Sequence, residues 1–104
     1  MNELQEKVKK FCRQHGLEMP AEERLLDIVS ELGEVSKEML KASDYGKKEP
    51  EYSSEMKAEL GDLFYSLIAI ANKLNVDLEE ALDIVLVKYQ KRIEKGGSPD
   101  SKNC

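Results

Sequence analysis

Apolar residues recur at every third or fourth position along four stretches of this chain, and that spacing places them on one side of an α-helix. The pattern predicts an all-α fold, a bundle of four helices with no strands. The predicted helices run from about Asn2 to His15, from Pro20 to Ala42, from Ser53 to Leu74 and from Asn75 to Lys95.

Several predicted helix ends carry residues that cap or start helices. Pro20 suits the first turn of the second helix, and Asp77 with Glu80 forms a variant of the capping box at the start of the fourth. His15 is interpreted as a capping or packing residue, because the dipole favours a histidine at a helix C-terminus. Residues 43–52 contain glycine, lysines and proline, and they predict the one internal loop of any length.

The second predicted helix has an apolar side and an acidic side. The face that we expect to pack on the core has a central apolar stripe of Leu25, Val29, Leu32, Ser36 and Met39 and is widened by Leu26, Ile28, Val35 and Leu40. Its opposite side carries Asp27, Glu31, Glu34 and Glu38. An acidic side opposite an apolar one is more often a solvated surface than a binding site. Taken alone, this helix favours the solvated interpretation.

The third predicted helix differs, because its second half is apolar nearly all round. A helix of that kind is buried on several sides, and in so short a chain this predicts a partner subunit. Its acidic stripe, Glu55, Glu59 and Asp62, continues along the same face into the small residues Ser66 and Ala69. A solvated face would stay charged, so this pattern predicts a cleft with a metal at one end and room for a ligand beside it.

The acidic residues belong to a motif that occurs twice. Glu31-Leu-Gly-Glu34 returns as Glu59-Leu-Gly-Asp62, and each copy directs two carboxylates to one side of its helix. Two such helices side by side would aim four carboxylates at one point, an arrangement that suits a hard cation such as Mg²⁺. Each copy also contains a glycine, at 33 and 61, and these glycines predict a close approach of another helix.

Composition narrows the class of protein. The 104 residues, 40% hydrophobic and 36% charged, fit one domain, predicted over residues 1–95 with a polar tail at 96–104. The net charge of -5 argues against a nucleic-acid surface, and no apolar run approaches the roughly 20 residues of a membrane span. Cys12 and Cys104 have no ligand-like spacing and no apolar export signal begins the chain, so the expected location is cytoplasmic.

The motif and its surroundings resemble a known family. Glu-x-x-Glu at 31–34, Glu-Leu-Gly-Asp-Leu-Phe-Tyr at 59–65 and Leu-Asn-Val-Asp-Leu-Glu-Glu-Ala at 74–81 resemble the MazG-like all-α nucleoside triphosphate pyrophosphohydrolases. The resemblance covers about Leu25 to Lys95. It implies a helical bundle completed by dimerisation, as a homodimer or a dimer of dimers. It also implies cleavage of a nucleoside triphosphate between its α and β phosphates, which gives the monophosphate and pyrophosphate.

The same resemblance assigns roles to residues. The implied ligands of Mg²⁺, with Mn²⁺ as an alternative, are Glu31, Glu34, Glu59 and Asp62. Glu31 or Glu34 would also orient or deprotonate the attacking water. On the fourth helix, Lys88 and Arg92 match a Lys-Asn-x-x-Arg pattern near the phosphates, with Tyr89 in place of the asparagine.

Three functions remain open at this point. The first is hydrolysis of a nucleoside or deoxynucleoside triphosphate, with a role in nucleotide-pool house-cleaning. The second is hydrolysis of phosphoribosyl-ATP, whose pyrophosphohydrolase has a related fold and motif. The third is a non-catalytic helical interaction or nucleotide-sensing module in which the acids are only solvated. The expected partners are a nucleotide and a second copy of the chain, with no nucleic acid and no membrane.

Overall fold

The computed structural model describes residues 1–97, which form four α-helices and no strand. The helices are α1 (Glu3–Gln14), α2 (Ala21–Ala42), α3 (Ser54–Lys73) and α4 (Leu78–Glu94). The prediction of an all-α fold is confirmed. Every helix end lies within one residue of its expected position except the start of α4, which comes three residues after Asn75 because Asp77 is its N-cap. Cys104 and most of the predicted polar tail lie outside the described residues.

Side-chain caps explain why three of the helices begin where they do. Asn2, Ser53 and Asp77 each accept hydrogen bonds from backbone N–H groups of the following turn, at 2.9 to 3.3 Å. Such caps satisfy donors that have no partner within the helix. α2 begins after Pro20 without a side-chain cap. His15 is the C-cap of α1, as its position in the sequence predicted.

α3 is the central helix of the molecule. It packs most extensively against α2 and less extensively against α1. Ile68, Ala69 and Ala71 in its second half are each at most 8% exposed, and the apolar core is completed by Cys12 and Met56. This burial agrees with the nearly all-round apolar character of the second half of α3.

α2 presents to α3 a different side from the one that the apolar stripe predicted. Leu25, Val29, Leu32 and Met39 are 51% to 62% exposed. The residues of the helix body that are buried or half-buried lie toward its acidic side and are Arg24, Asp27, Ile28, Glu31, Val35 and Glu38. The central stripe of the predicted inward face is therefore wrong for the single chain, whereas Ile28 and Val35 at its border are half-buried, as predicted. Periodicity shows which residues share a side of a helix, but it does not show which side a neighbour covers.

One buried amide joins α1 to the end of α3 and the start of α4. Gln5 is 1% exposed. Its Nε2 donates to Asn72 Oδ1 at 3.0 Å and to the Val76 carbonyl at 2.8 Å. Its Oε1 accepts from the Leu78 N–H and from Asn2 Nδ2, both at 2.7 Å. The network fixes the position at which α4 begins.

α4 is the least covered helix. None of its residues is buried, and Ile84, Leu86 and Val87 are 63%, 53% and 55% exposed. The radius of gyration is 16.9 Å, whereas a compact chain of this length has a radius of about 13 Å. The single chain is thus extended and leaves much apolar surface open. Among the described residues, no helix is both long and apolar enough to cross a membrane.

Candidate metal centre

The α2–α3 pair brings the two copies of the acid motif to one place. Glu31 and Glu34 lie on the acidic side of α2, and Glu59 and Asp62 lie one helical turn apart on α3. Glu31 and Glu59 are half-buried where the two helices pack, whereas Glu34 and Asp62 are exposed. The acids therefore lie at the edge of a packed helix pair and are not spread over a fully solvated face.

Three of the four predicted metal ligands converge. Glu31, Glu59 and Asp62 each offer a carboxylate oxygen, and these oxygens all lie within 4.8 Å of one another. Glu34 is not a member of this group, which we call the acid triad. The structure therefore brings together one predicted ligand from α2 and both from α3.

The electrostatics of the acid triad are those of concentrated negative charge. Partial burial raises the pKa of Glu59 above its usual value of 4.5, and repulsion from Glu34, Asp62, Glu31 and Glu38 raises it further. Glu34 thus lies near enough for its charge to act on the triad. A raised carboxyl pKa means that the ionised form lacks compensating positive charge. Such a site favours a bound cation.

The donor atoms fit a hard divalent cation. The acid triad offers only carboxylate oxygens, which are the protein ligands that Mg²⁺ and Mn²⁺ prefer. Around one octahedral Mg²⁺ ion, ligand oxygens are about 3.0 to 4.2 Å apart. Small side-chain rotations would bring the triad to that spacing. Mg²⁺ usually keeps water and substrate phosphate as further ligands, so three protein carboxylates are sufficient.

A cavity of about 290 Å³ lies further along the α3 face that carries Asp62. Ala69 and Lys73 line the cavity, and Ser66 is buried between Asp62 and Ala69 on this face. Ala69, one of the two small residues, therefore borders a cavity. None of the four acids is among its lining residues, so the cleft with a metal at one end stays a prediction. The lining residues contributed by α1 and α2 include Lys9, Cys12, Arg13 and Arg24. Sequence reasoning missed this contribution because nothing in the pattern of α1 relates it to α3.

Arg24 closes one side of this cavity and is 5% exposed. Its guanidinium donates to the Leu17 carbonyl and to Cys12 Sγ, pairs with Asp27 at 3.9 Å and lies 5.5 Å from the centre of the Tyr65 ring. Burial and a hydrogen bond with Cys12 raise the pKa of Tyr65 above 10. These contacts make Arg24 the residue that holds the α1–α2 connection against α3.

The predicted phosphate-binding residues lie on α4. The Lys88 ammonium and the Arg92 guanidinium are 5.4 and 5.9 Å from the centre of the Tyr89 ring. Both line a surface groove whose lining residues all fall within Asp83 to Lys95. None of the four acids is among the residues that line this groove.

The two motif glycines do not mark a close approach of helices in the single chain. A Cβ atom placed on Gly33 or Gly61 would meet no neighbouring atom within 4 Å. The prediction of close approach is therefore wrong at this level of assembly. Both glycines lie on open sides of their helices.

Comparison with known proteins places this fold and site in a family. The sequence model of the MazG nucleotide pyrophosphohydrolase domain matches residues 20–96, which include both acid pairs and α4. The chain belongs to the MazG family. Bacillus subtilis YpjD, an uncharacterised protein, is 36% identical to this MazG domain over 66 residues, which are 62% of this chain and 60% of YpjD.

A solved structure shares the architecture of this MazG domain. The crystal structure described as "the putative pyrophosphatase YPJD from Bacillus subtilis" is similar with a TM-score of 0.72 and 30% identity, covering 88% of this chain and 94% of that one. The MazG-like resemblance and the all-α fold are thereby confirmed. Family membership also supports, at the family level, a nucleotide pyrophosphohydrolase enzyme. α1 precedes the stretch that the family model matches.

Proposed function

We propose that this MazG domain hydrolyses a nucleoside or deoxynucleoside triphosphate between its α and β phosphates and requires Mg²⁺, which Mn²⁺ can replace. The products are the nucleoside monophosphate and pyrophosphate. The observation that carries the proposal is the convergence of Glu31, Glu59 and Asp62 from two helices onto one point. A house-cleaning role in the cytoplasmic nucleotide pool is the biological setting that we propose for this reaction.

We propose two roles for the acids, which are to bind a cation and to accept a proton. Glu31, Glu59 and Asp62 would hold Mg²⁺, which when bound lowers the pKa of water and neutralises phosphate charge. Glu34 lies beside the triad without belonging to it. We therefore propose that the Glu34 carboxylate accepts the proton of the attacking water, with Glu31 as the alternative acceptor. The water oxygen bonds to a phosphorus atom next to the α–β bridging oxygen, and the bond between that phosphorus and the bridging oxygen breaks. The proton of the water passes to the carboxylate and from there to solvent.

We propose that the working unit is a homodimer, alone or paired as a dimer of dimers. The chain exposes 7998 Å², whereas a compact monomer of 11.8 kDa exposes about 5,900 Å². A fully unfolded segment of the size of residues 98–104 exposes about 1,100 Å², so these residues cannot supply the whole difference. The excess exposed surface that is left is about 1,000 Å² per chain, or about 2,000 Å² for two chains. Obligate homodimers bury interfaces of about this size at the lower end of their range.

Pyrophosphate release from a panel of nucleoside triphosphates, with Mg²⁺ and with EDTA, tests the proposal. Asp62→Asn removes one charge from the acid triad and should lower turnover by at least about 100-fold, because metal ions supply several kcal/mol of charge stabilisation. The matched control is Glu94→Gln, an exposed residue near the end of α4, which should keep wild-type turnover. Release of orthophosphate alone, equal turnover in EDTA, or a fully active Asp62→Asn protein would each refute the mechanism.

The cavity that Ala69 borders on α3 favours phosphoribosyl-ATP as a second candidate substrate. Lys9, Arg13 and Lys73 line that cavity, and phosphoribosyl-ATP carries a second phosphate at a distance from its triphosphate. Arg13 is already 3.8 Å from Glu18, so the lysines are the better candidates for that phosphate. Including phosphoribosyl-ATP in the panel decides between the substrates. Turnover of none of these nucleotides would favour the non-catalytic sensing module instead.

A further inference from the structure

We propose that the cavity between α1, the start of α2 and the end of α3 binds a phosphate dianion, either free orthophosphate or the phosphate group of a small monoester. We call it the basic cavity, after its lining residues Lys9, Arg13, Arg24 and Lys73. None of the four acids of the candidate metal centre lines it. The inference goes beyond the proposed function, because phosphate binding here needs neither a bound metal nor turnover.

The first argument is the charge of the lining. The cationic residues come from three helices, with Lys9 and Arg13 on α1, Arg24 on α2 and Lys73 on α3. Among the described residues that line the cavity, Glu18 is the only acid. The chain as a whole has a net charge of -5, so this concentration of positive charge is local. A concave surface lined by one sign of charge focuses the field and attracts ions of the opposite sign.

The balance of charge selects a dianion. Arg13 lies 3.8 Å from Glu18, and Arg24 lies 3.9 Å from Asp27. Within residues 1–97, the two lysines of the basic cavity make no ion pair. The cavity therefore keeps the two positive charges of these lysines without an acidic partner. A phosphate group carries about 1.5 to 2 negative charges at pH 7, so it matches the lining better than a carboxylate, which carries one.

The second argument is the position of Arg24, a buried cation that is 5% exposed. It is the fourth residue of α2, close to the end of the helix whose dipole disfavours a cation. Its hydrogen bonds to the Leu17 carbonyl and to Cys12 Sγ both come from Nη2. Nη1 is 3.9 Å from Asp27, which is beyond hydrogen-bond distance. Nη1 therefore retains donors for an acceptor in the cavity, and the guanidinium geometry suits phosphate oxygens.

The size of the basic cavity limits the ligand. Its volume is about 290 Å³, at the lower limit of ligand pockets, which hold about 300 to 1,000 Å³. Asn72 forms part of the wall, and its side chain is held by Gln5, which donates to Oδ1 and accepts from Nδ2. The wall is thus fixed by a buried network. Orthophosphate or a sugar phosphate suits a cavity of this volume.

The basic cavity depends on the N-terminal helix. Lys9 and Arg13 precede residue 20, where the match to the MazG family model begins. The matched stretch alone therefore does not form the cavity, because α1 and its connection to α2 supply the rest of the lining. A phosphate bound here contacts α1, α2 and α3 together. Its binding should stabilise the docking of α1, since a ligand that binds only the folded state stabilises that state.

Isothermal titration calorimetry with sodium phosphate in EDTA tests the proposal. EDTA removes the divalent metal through which the acids could hold phosphate. Wild type should bind phosphate, and Lys9→Gln combined with Lys73→Gln should weaken binding by at least about 10-fold, because hydrogen bonds to charged groups are the strong ones. The matched control combines Lys10→Gln with Lys57→Gln, which removes the same charge from the same two helices at exposed positions outside the cavity. An equal loss in both double variants, or no binding by wild type, would overturn the proposal.

NMR titration locates the bound phosphate. The Arg24 Nε–H signal and the backbone amides of Lys9 and Lys73 should shift as phosphate is added. Shifts confined to the α4 groove that contains Lys88 would overturn the assignment to the basic cavity. Thermal melts add a second readout. Wild type should melt several degrees higher in phosphate than in chloride of equal ionic strength, whereas the cavity double variant should melt at the same temperature in both.

Two ligands distinguish the sources of the phosphate group. Tighter binding of ribose 5-phosphate than of orthophosphate would identify a monoester as the ligand, and the reverse order would identify the free ion. Either order supports the site, whereas binding of neither refutes it. A protein that binds phosphate in EDTA but releases no pyrophosphate from any nucleotide would refute the proposed function and leave the basic cavity standing.

Discussion

Replacing Gln5 with leucine should destabilise the protein more than its position near the N-terminus suggests. The Gln5 side chain is 1% exposed and makes four hydrogen bonds with nitrogen and oxygen partners, on Asn2, Asn72, Val76 and Leu78, besides a weak one to Met1 Sδ. Each neutral hydrogen bond contributes about 1 kcal/mol, so the loss of four predicts a decrease of about 4 kcal/mol in the free energy of unfolding. Leucine is similar in size, so packing changes should be minor beside this loss.

Urea unfolding at one fixed protein concentration measures this decrease, because the stability of an oligomer depends on concentration. A loss of about 4 kcal/mol should move the unfolding midpoint by about 2 M urea. Gln14→Leu is the matched control on the same helix, since Gln14 is exposed, and it should change the stability by no more than about 0.5 kcal/mol.

A second substitution separates the hydrogen bonds from the shape of the side chain. Gln5→Glu replaces the Nε2 donor with an oxygen that faces Asn72 Oδ1 and the Val76 carbonyl. It keeps the shape but should destabilise at least as strongly as Gln5→Leu at neutral pH. A Gln5→Leu protein less than about 1 kcal/mol below wild type would refute the role given to this network. Because Leu78 begins α4, both variants should also reduce catalytic activity.

Two further predictions concern the metal-free site and the motif glycines. Because the pKa of Glu59 is raised above 4.5 in the folded protein, the folded state binds its proton more tightly than the unfolded state, and stability falls as pH rises from 4.5 through the folded pKa. Thermal melts in EDTA should therefore decline less steeply with pH for Glu59→Gln, and equal slopes would contradict this. Gly33→Ala and Gly61→Ala should each stabilise the isolated fold by roughly 0.5 to 1 kcal/mol in urea unfolding, because the added Cβ meets open space. Loss of dimer mass in light scattering would instead show that a second copy approaches these glycines.

The sequence was most informative where structure depends on nearby residues. Helix ends were predictable because Asn2, Ser53 and Asp77 act on the turn that follows them. The two acid pairs were predictable because residues three apart share one side of a helix. The same periodicity placed Ser66, which is buried, and Ala69, which borders a cavity, further along the face of α3 that carries Asp62.

Features that depend on distant parts of the chain were not predictable. Gln5 and Arg24 are buried through partners on other elements, and polar residues are ordinarily expected at the surface. The side of α2 that packs on α3 was predicted wrongly. An apolar stripe indicates a surface that is buried in the assembled protein, but it does not show which element buries it. That Glu34 stands beside the triad, and not in it, depends on the packing of α2 and α3, which helix periodicity leaves open.

The network around Gln5 also implies an order of events while the chain is being synthesised. The partners of Gln5 on α3, in the following turn and at the start of α4 lie 67, 71 and 73 residues later in the sequence. At about 5 to 20 residues per second, the ribosome needs several seconds to deliver them. α2 and α3 are neighbours in sequence and can pair before α4 is made. α1 precedes both helices in the chain but cannot bond to Asn72 until α3 has been made, and until then its apolar stripe is open to chaperones.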